Sequence, residues 1–232
     1  MDNSAEPSSS DIKLACIDMA GTVVRDDGIV LAAFETAMRK VGASDAEIES
    51  AMTYVHRTMG LPKAVVFRAL LGEESRVQDA VRAFDSDVLS AVEEGRVEEI
   101  EGAGDSFEAL RSMGVQVCLT TGFTTEVQAA IVRSLGWSDA VDLSLAPGEG
   151  IRGRPYPDLI LSAILRLEVD DVRQVAVVGD TANDLLSGHR AGSGIVAGVL
   201  TGTHGRHELS AAPHTHILDS IADFPALCRP GA

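Results

Sequence analysis

Four short segments carry residues that can do chemistry together. Asp18-Met-Ala-Gly-Thr22 closes an apolar run with a carboxylate, and Val178-Gly-Asp180-Thr-Ala-Asn-Asp184 closes another with a further pair. Between them lie Leu119-Thr-Thr-Gly122, a hydroxyl followed by bare backbone, and Gly153-Arg-Pro-Tyr-Pro157, a cation in a stiff loop. Singly each is ordinary turn chemistry, since Asp before Gly is common in loops and helix caps. In an open α/β sheet, however, ligands bind at the carboxyl ends of the strands, where these carboxylates would converge. Such groups repel one another unless a hard divalent cation joins them. Mg2+ suits one or two carboxylates, a carbonyl, waters and a phosphoryl oxygen.

The elements that must position these residues show in the hydrophobic pattern. Short apolar runs at 12–17, 115–121, 140–146, 174–178 and 194–200 read as buried strands. Helical patterns separate them: 105–113 closing at Gly114, 125–135 opening with a Thr125/Gln128 capping box, one from Pro157, and one from about Asn183 to Ala191. Alternating strands and helices predict an α/β fold, a three-layer doubly wound parallel sheet.

The interval 25–97 carries helical patterns alone and predicts an inserted α-helical cap. Phe34, Ala37, Met38 and Val41 share a face, and Ser44 with Glu47 forms a capping box. Pro62 suits the first position of a third helix, and Ser75 with Gln78 caps a fourth. The expected organisation is a disordered polar tail at 1–10, a catalytic core of 11–24 and 98–232, and the cap at 25–97. The acidic stretch 93–101 reads as a solvated helix end and linker.

Composition narrows the function. Among 232 residues, 19 Lys and Arg face 35 Asp and Glu, a formal charge of -16 that disfavours nucleic acid and anionic membranes. No apolar run is long enough to span a bilayer, and the opening MDNSAEPSSSD lacks signal-peptide character, so a cytoplasmic protein is expected. Cys16, Cys118 and Cys228 have no CxxC spacing and read as reduced thiols. His204, His207, His214 and His216 lack metal-ligand spacing and read as an exposed loop, and Trp137 reads as packed beneath the sheet. The expected partner is a small phosphorylated or phosphonate substrate; a homodimer is left open.

In order and in context, the four segments resemble the loops of the haloacid dehalogenase superfamily of aspartyl phosphotransferases. The resemblance spans nearly the whole chain and implies a Rossmann-like core. It implies that Asp18 attacks phosphorus and forms an aspartyl-phosphate. Gly21, Thr22, Thr121, Gly122 and Arg154 would bind the phosphoryl group. Asp18, the carbonyl of Ala20, Asp180 and Asp184 would hold or orient Mg2+.

Position 20 departs from the family, where most phosphatases place a second Asp as general acid; here it is Ala20. The Asp18 segment, the Gly-Arg-Pro-Tyr-Pro loop and Met59-Gly-Leu-Pro-Lys63 together resemble the phosphonatase branch. There a cap Lys forms an imine with the substrate aldehyde, so that cleavage of the carbon–phosphorus bond leaves an enamine and needs no Asp acid. In the first turn of a helix Lys63 would lie near the dipole's positive end, which disfavours its ammonium form. Two features of that branch are absent. Val66 stands where it has His, and Phe123 where it has an aromatic hydroxyl. His56 reads as a surface imidazole. The expected activity is cleavage of phosphonoacetaldehyde or a similar small carbonyl phosphonate. The alternatives are hydrolysis of small phosphate monoesters and a metal-dependent binding protein.

Overall fold

A computed structural model describes residues 11–148 and 150–229. The expected tail at 1–10 lies outside them. The chain runs β1 (Leu14–Asp18), then α1 (Ile29–Lys40), α2 (Asp45–Arg57), α3 (Lys63–Leu71) and α4 (Glu74–Glu93). It continues with α5 (Ala103–Ser112), β2 (Gln116–Thr120), α6 (Thr125–Ser134), β3 (Leu143–Leu145) and α7 (Asp158–Arg166). Last come β4 (Val175–Gly179), α8 (Ala182–Ala191), β5 (Ile195–Val199), α9 (Arg206–Ala211), β6 (His216–Leu218) and α10 (Phe224–Leu227). No helix among the described residues is long and apolar enough to cross a membrane.

The strands form one parallel sheet in the order β3-β2-β1-β4-β5-β6. Both faces are covered, so β1 and β4 are buried at every residue and read as unbroken apolar runs. The chain leaves β1 toward β2 on one side and returns to β4 on the other. The order therefore reverses between β1 and β4, where a crevice opens at the strand ends. Asp18 is the last residue of β1 and Asp180 directly follows β4.

The segment between β1 and α5 is a helical insertion, as its periodicity predicts. The Ser44/Glu47 capping box is formed, with the Ser44 amide donating to Glu47 at 2.8 Å. The insertion's core is aromatic: Phe34 lies 4.9 Å from both Phe67 and Phe84 between ring centres. Its two chain crossings run side by side. Val24 and Glu99 form an antiparallel bridge, the Arg25 amide donates to the Glu98 carbonyl, and the Ile100 amide donates to that of Val23, each at 2.9 Å.

The structure corrects other local expectations. The helix expected at 125 has Thr124 at its N-cap position without a side-chain cap bond, and Gln128 points inward, donating to the carbonyls of Leu119 and Leu145 at 3.4 and 3.2 Å. Those carbonyls face a dry interior, and satisfying them outweighs a surface cap. Ser75 does not cap α4, which begins at Glu74; its hydroxyl donates to the Glu73 carboxylate. The strand expected at 140–146 shrinks to Leu143–Leu145, because Asp142 accepts the Val117 amide with its side chain. The histidine-bearing segment is no plain loop: it forms α9 and β6, and half-buried His204 accepts the Ala182 amide on Nδ1 at 3.0 Å. Trp137 is buried edge-on to Phe107 at 5.0 Å, and all three cysteines are buried and unpaired.

Candidate active site

Parallel strands deliver their last residues to one place, and here the deliveries are ionic. Asp18, Asp180 and Asp184 each offer a carboxylate oxygen, all within 4.8 Å of one another and all buried. Thr120 ends β2 level with Asp18, and Thr121 follows it. The buried guanidinium of Arg154 lies among them, its Nη1 donating to both Asp18 and Asp184. The remaining oxygens are held by short local bonds. Thr203 donates its amide to Asp180 at 2.6 Å, and Thr181 donates its amide to Asp184 at 3.0 Å. Gly21 has φ +83°, and a side chain there would meet Asp180 Oδ2 at 2.6 Å, so this turn requires glycine.

Burial is the main force on these groups. It pushes the Asp18 carboxyl up to about 6, although Arg154 pulls down, and Asp184 adds to the rise. Burial likewise raises Asp180 well above the carboxylate range, with Asp18 and Asp184 repelling its charge. For Arg154, burial works against the cation and is outweighed by its two carboxylates. Asp180 Oδ1 is buried with no partner among the described residues. A bare carboxylate oxygen beside two more carboxylates is a donor set that a divalent cation satisfies, and Mg2+ fits it.

The insertion closes the crevice. Its Lys63 opens α3 and lines the same small cavity, of about 20 Å³, as Asp18, Thr121, Arg154 and Asp180. Lys63 is 7% exposed, and its Nζ lies 5.3 Å from the ring centres of Phe34 and Phe123 and 5.5 Å from that of Phe84. Its side-chain amine makes no hydrogen bond or ion pair among the described residues. Burial first and Arg154 second bring its pKa down from 10.5 to about 8.

The other expected site residues fall as follows. Ala20 and Gly122 line the cavity. Thr121 accepts the Phe123 amide on its hydroxyl oxygen at 3.1 Å, which leaves its proton free. Gly21 and Thr22, expected at the phosphoryl group, do not line the cavity: the Gly21 amide donates to the Val24 carbonyl at 2.7 Å, and the Thr22 hydroxyl to Asp18 at 3.4 Å. Asp184 stands one layer back, touching the cavity residues through Arg154 and Thr181. His56 is exposed and outside the cavity. The phenylalanine cage around Lys63 left no sequence signal, because its rings come from α1, α4 and the loop after β2.

Known proteins carry the same plan. The chain is 28% identical over 216 residues to "Probable phosphatase IndB" of Dickeya dadantii, covering 90% of each protein. It is 28% identical over 257 residues to a phosphonoacetaldehyde hydrolase of Lactiplantibacillus plantarum, covering 93% of this chain and 95% of the relative. A hydrolase of Pseudomonas syringae superposes with a TM-score of 0.80 at 18% identity, covering 91% of this chain and 95% of that one, and so shares the fold. Residues 12–192 match the haloacid dehalogenase-like hydrolase family, so this chain is an enzyme of that family.

Proposed function

We propose that the enzyme is a Mg2+-dependent, phosphonatase-like hydrolase that cleaves the carbon–phosphorus bond of phosphonoacetaldehyde or a similar small carbonyl phosphonate. One observation carries this reading: a lysine amine without a polar partner, caged by three phenylalanine rings, lines the cavity that holds the carboxylate cluster. Imine formation requires a neutral amine at this place, whereas ester hydrolysis does not. With a pKa of about 8, roughly a tenth of it is neutral at pH 7, against less than a thousandth at its ordinary value.

The steps follow from the residues. Neutral Lys63 adds to the carbonyl carbon and, with one proton taken up from solvent, expels water to give a protonated imine. An oxygen of Asp18 attacks phosphorus as the carbon–phosphorus bond breaks, and the released electron pair moves into the imine to form an enamine. Arg154 and the Thr121 hydroxyl stabilise charge on the transferring oxygens. Water then hydrolyses the aspartyl-phosphate to restore Asp18 and free phosphate. Protonation at carbon and hydrolysis return Lys63 and release the aldehyde. Asp18, Asp180 and the Ala20 carbonyl would hold Mg2+, oriented from behind by Asp184; the ion supplies charge neutralisation between nucleophile and phosphoryl group. Residues 25–97 act as a cap over a core of 11–24 and 98–232. The cavity is too small for a phosphonate in this closed form, so the cap lifts on the paired crossings to admit one.

Val66 is buried where the phosphonatase branch has its His, and this favours a second reading as a small-ester phosphatase, as does the likeness to IndB. One screen separates the two. Wild type and Lys63→Arg are compared for phosphate release from phosphonoacetaldehyde and from phosphate monoesters, and substrate with borohydride is tested for a mass adduct on Lys63. The phosphonatase reading expects the adduct and selective loss of phosphonate cleavage. Ester hydrolysis without an adduct supports the phosphatase.

A further inference from the structure

The segment Met59–Lys63 is gripped by the core at successive residues. Thr181 leaves no room for a side chain at Gly60, where a Cβ would stand 2.6 Å from its hydroxyl. The Leu61 carbonyl would meet a Cβ at Gly122 at 2.7 Å, Pro62 packs against Gly153, and the Lys63 amide donates to the Gly122 carbonyl at 3.4 Å. These contacts are backbone and van der Waals in kind. Asn183 adds something different: its side-chain amide donates to the Met59 carbonyl at 2.8 Å. Among the described residues this is the only hydrogen bond that a core side chain makes to the segment Met59–Lys63.

Its place in the chain gives the bond its meaning. Asn183 lies between Asp180 and Asp184, in the first turn of α8. Asp180 lines the cavity and Asp184 binds Arg154 beside it, whereas Asn183, from the same turn, reaches the insertion. Half-buried, it offers the Met59 carbonyl a donor where the closing insertion excludes water. The geometry points to Asn183 as a positioning residue that ties the acidic turn to the start of α3 and thereby fixes the Lys63 amine over Asp18. It touches neither the reacting atoms nor the metal donors. Its effect on chemistry rests on the reading of Lys63 given above; its effect on the segment 59–66 does not.

Two substitutions test it: Asn183→Ala, and Asn183→Leu, which keeps the volume and removes the donor. Loss of the tether lets the amine drift, and misplacement by about 1 Å costs on the order of a hundredfold. Both variants are expected to lower kcat for phosphonoacetaldehyde by about ten- to a hundredfold and to slow borohydride trapping on Lys63 in parallel. Amide exchange should quicken across 59–66 while the strands of the sheet keep their protection. Unchanged exchange at 59–66 in both variants overturns the proposal, whatever the substrate proves to be. If wild type forms no adduct yet exchange at 59–66 quickens in the variants, the imine reading fails and the tether stands. Equal loss of protection in the sheet would make Asn183 a general stability residue and also overturn the proposal.

Discussion

The crevice at the strand ends and the helical insertion above it handle buried charge in opposite ways. The crevice gathers three carboxylates and a guanidinium, and pairs them with each other and with backbone amides. The insertion buries one ammonium-bearing side chain, Lys63, and surrounds it with rings. In the first, burial and mutual repulsion raise the carboxyls of Asp18 and Asp180, a cost that a divalent cation would offset. In the second, burial lowers the pKa of the lysine amine, as the proposed imine chemistry requires. Under the proposed mechanism, phosphorus chemistry and carbonyl chemistry belong to different parts of the chain, and each should fail separately.

The largest effect expected is for Asp18→Asn. Removing the attacking oxygen should cut phosphate release from every substrate by on the order of 10⁴-fold or more, measured by inorganic phosphate assay. Retained turnover would break the division at its base. Next, Lys63→Met should abolish phosphonate cleavage, a loss of about 10³-fold, while sparing hydrolysis of any ester the core accepts. It should also stabilise the fold by about 1–4 kcal/mol at pH 7, because a buried cation whose desolvation outweighs its attraction to rings and carboxylates is replaced by an apolar chain of similar shape.

The pH dependence of that gain follows from linkage. Between about pH 8 and 10.5 the unfolded chain holds a proton on Lys63 that the folded chain has lost. Wild-type stability from this group therefore rises with pH across that window, and Lys63→Met should flatten the slope in denaturant titrations.

A smaller effect should follow Gly122→Ala. The new methyl meets the Leu61 carbonyl at 2.7 Å and lifts the start of α3 from the core. Phosphonate turnover should fall about ten- to a hundredfold with the carboxylate cluster intact. Retention of Mg2+ binding by that variant would sharpen the contrast between the two regions.

Last comes Mg2+ itself. Asp18 titrates near 6 when folded, against 3.8 ordinarily, so its contribution to metal-free stability falls as pH rises between those values. Mg2+ at a hundredfold excess over its Kd should restore about 3 kcal/mol, or about 5 to 10 °C in Tm, and more at pH 7 than at pH 5. Calorimetry with wild type and Asp180→Asn checks this, and an equal shift in both would place the ion elsewhere.

Much of the crevice was legible in the sequence, because a parallel sheet turns chain order into spatial convergence. Once the runs ending at Asp18, Thr121 and Asp180 are read as strands, their ends must meet. Local signals of the Ser44/Glu47 kind were equally plain. What escaped has a common cause, in that side chains satisfy distant backbone. Gln128 serves two carbonyls from the strands beneath it, and His204 caps a helix that starts 22 residues earlier. The short β6 offers only Ile217 and Leu218 as an apolar run. The Lys63 cage needed Phe34, Phe84 and Phe123 brought together by tertiary packing.

The side-by-side crossings at Val23–Arg25 and Glu98–Ile100 have an architectural consequence. To the sheet, everything between them is the tip of one hairpin, since the chain returns to within a single ladder spacing of where it left. Replacing that tip with a short turn would leave the path of the sheet and its strand-end chemistry unchanged. The insertion is therefore a part that can be exchanged or enlarged without rerouting the sheet that carries the carboxylate cluster.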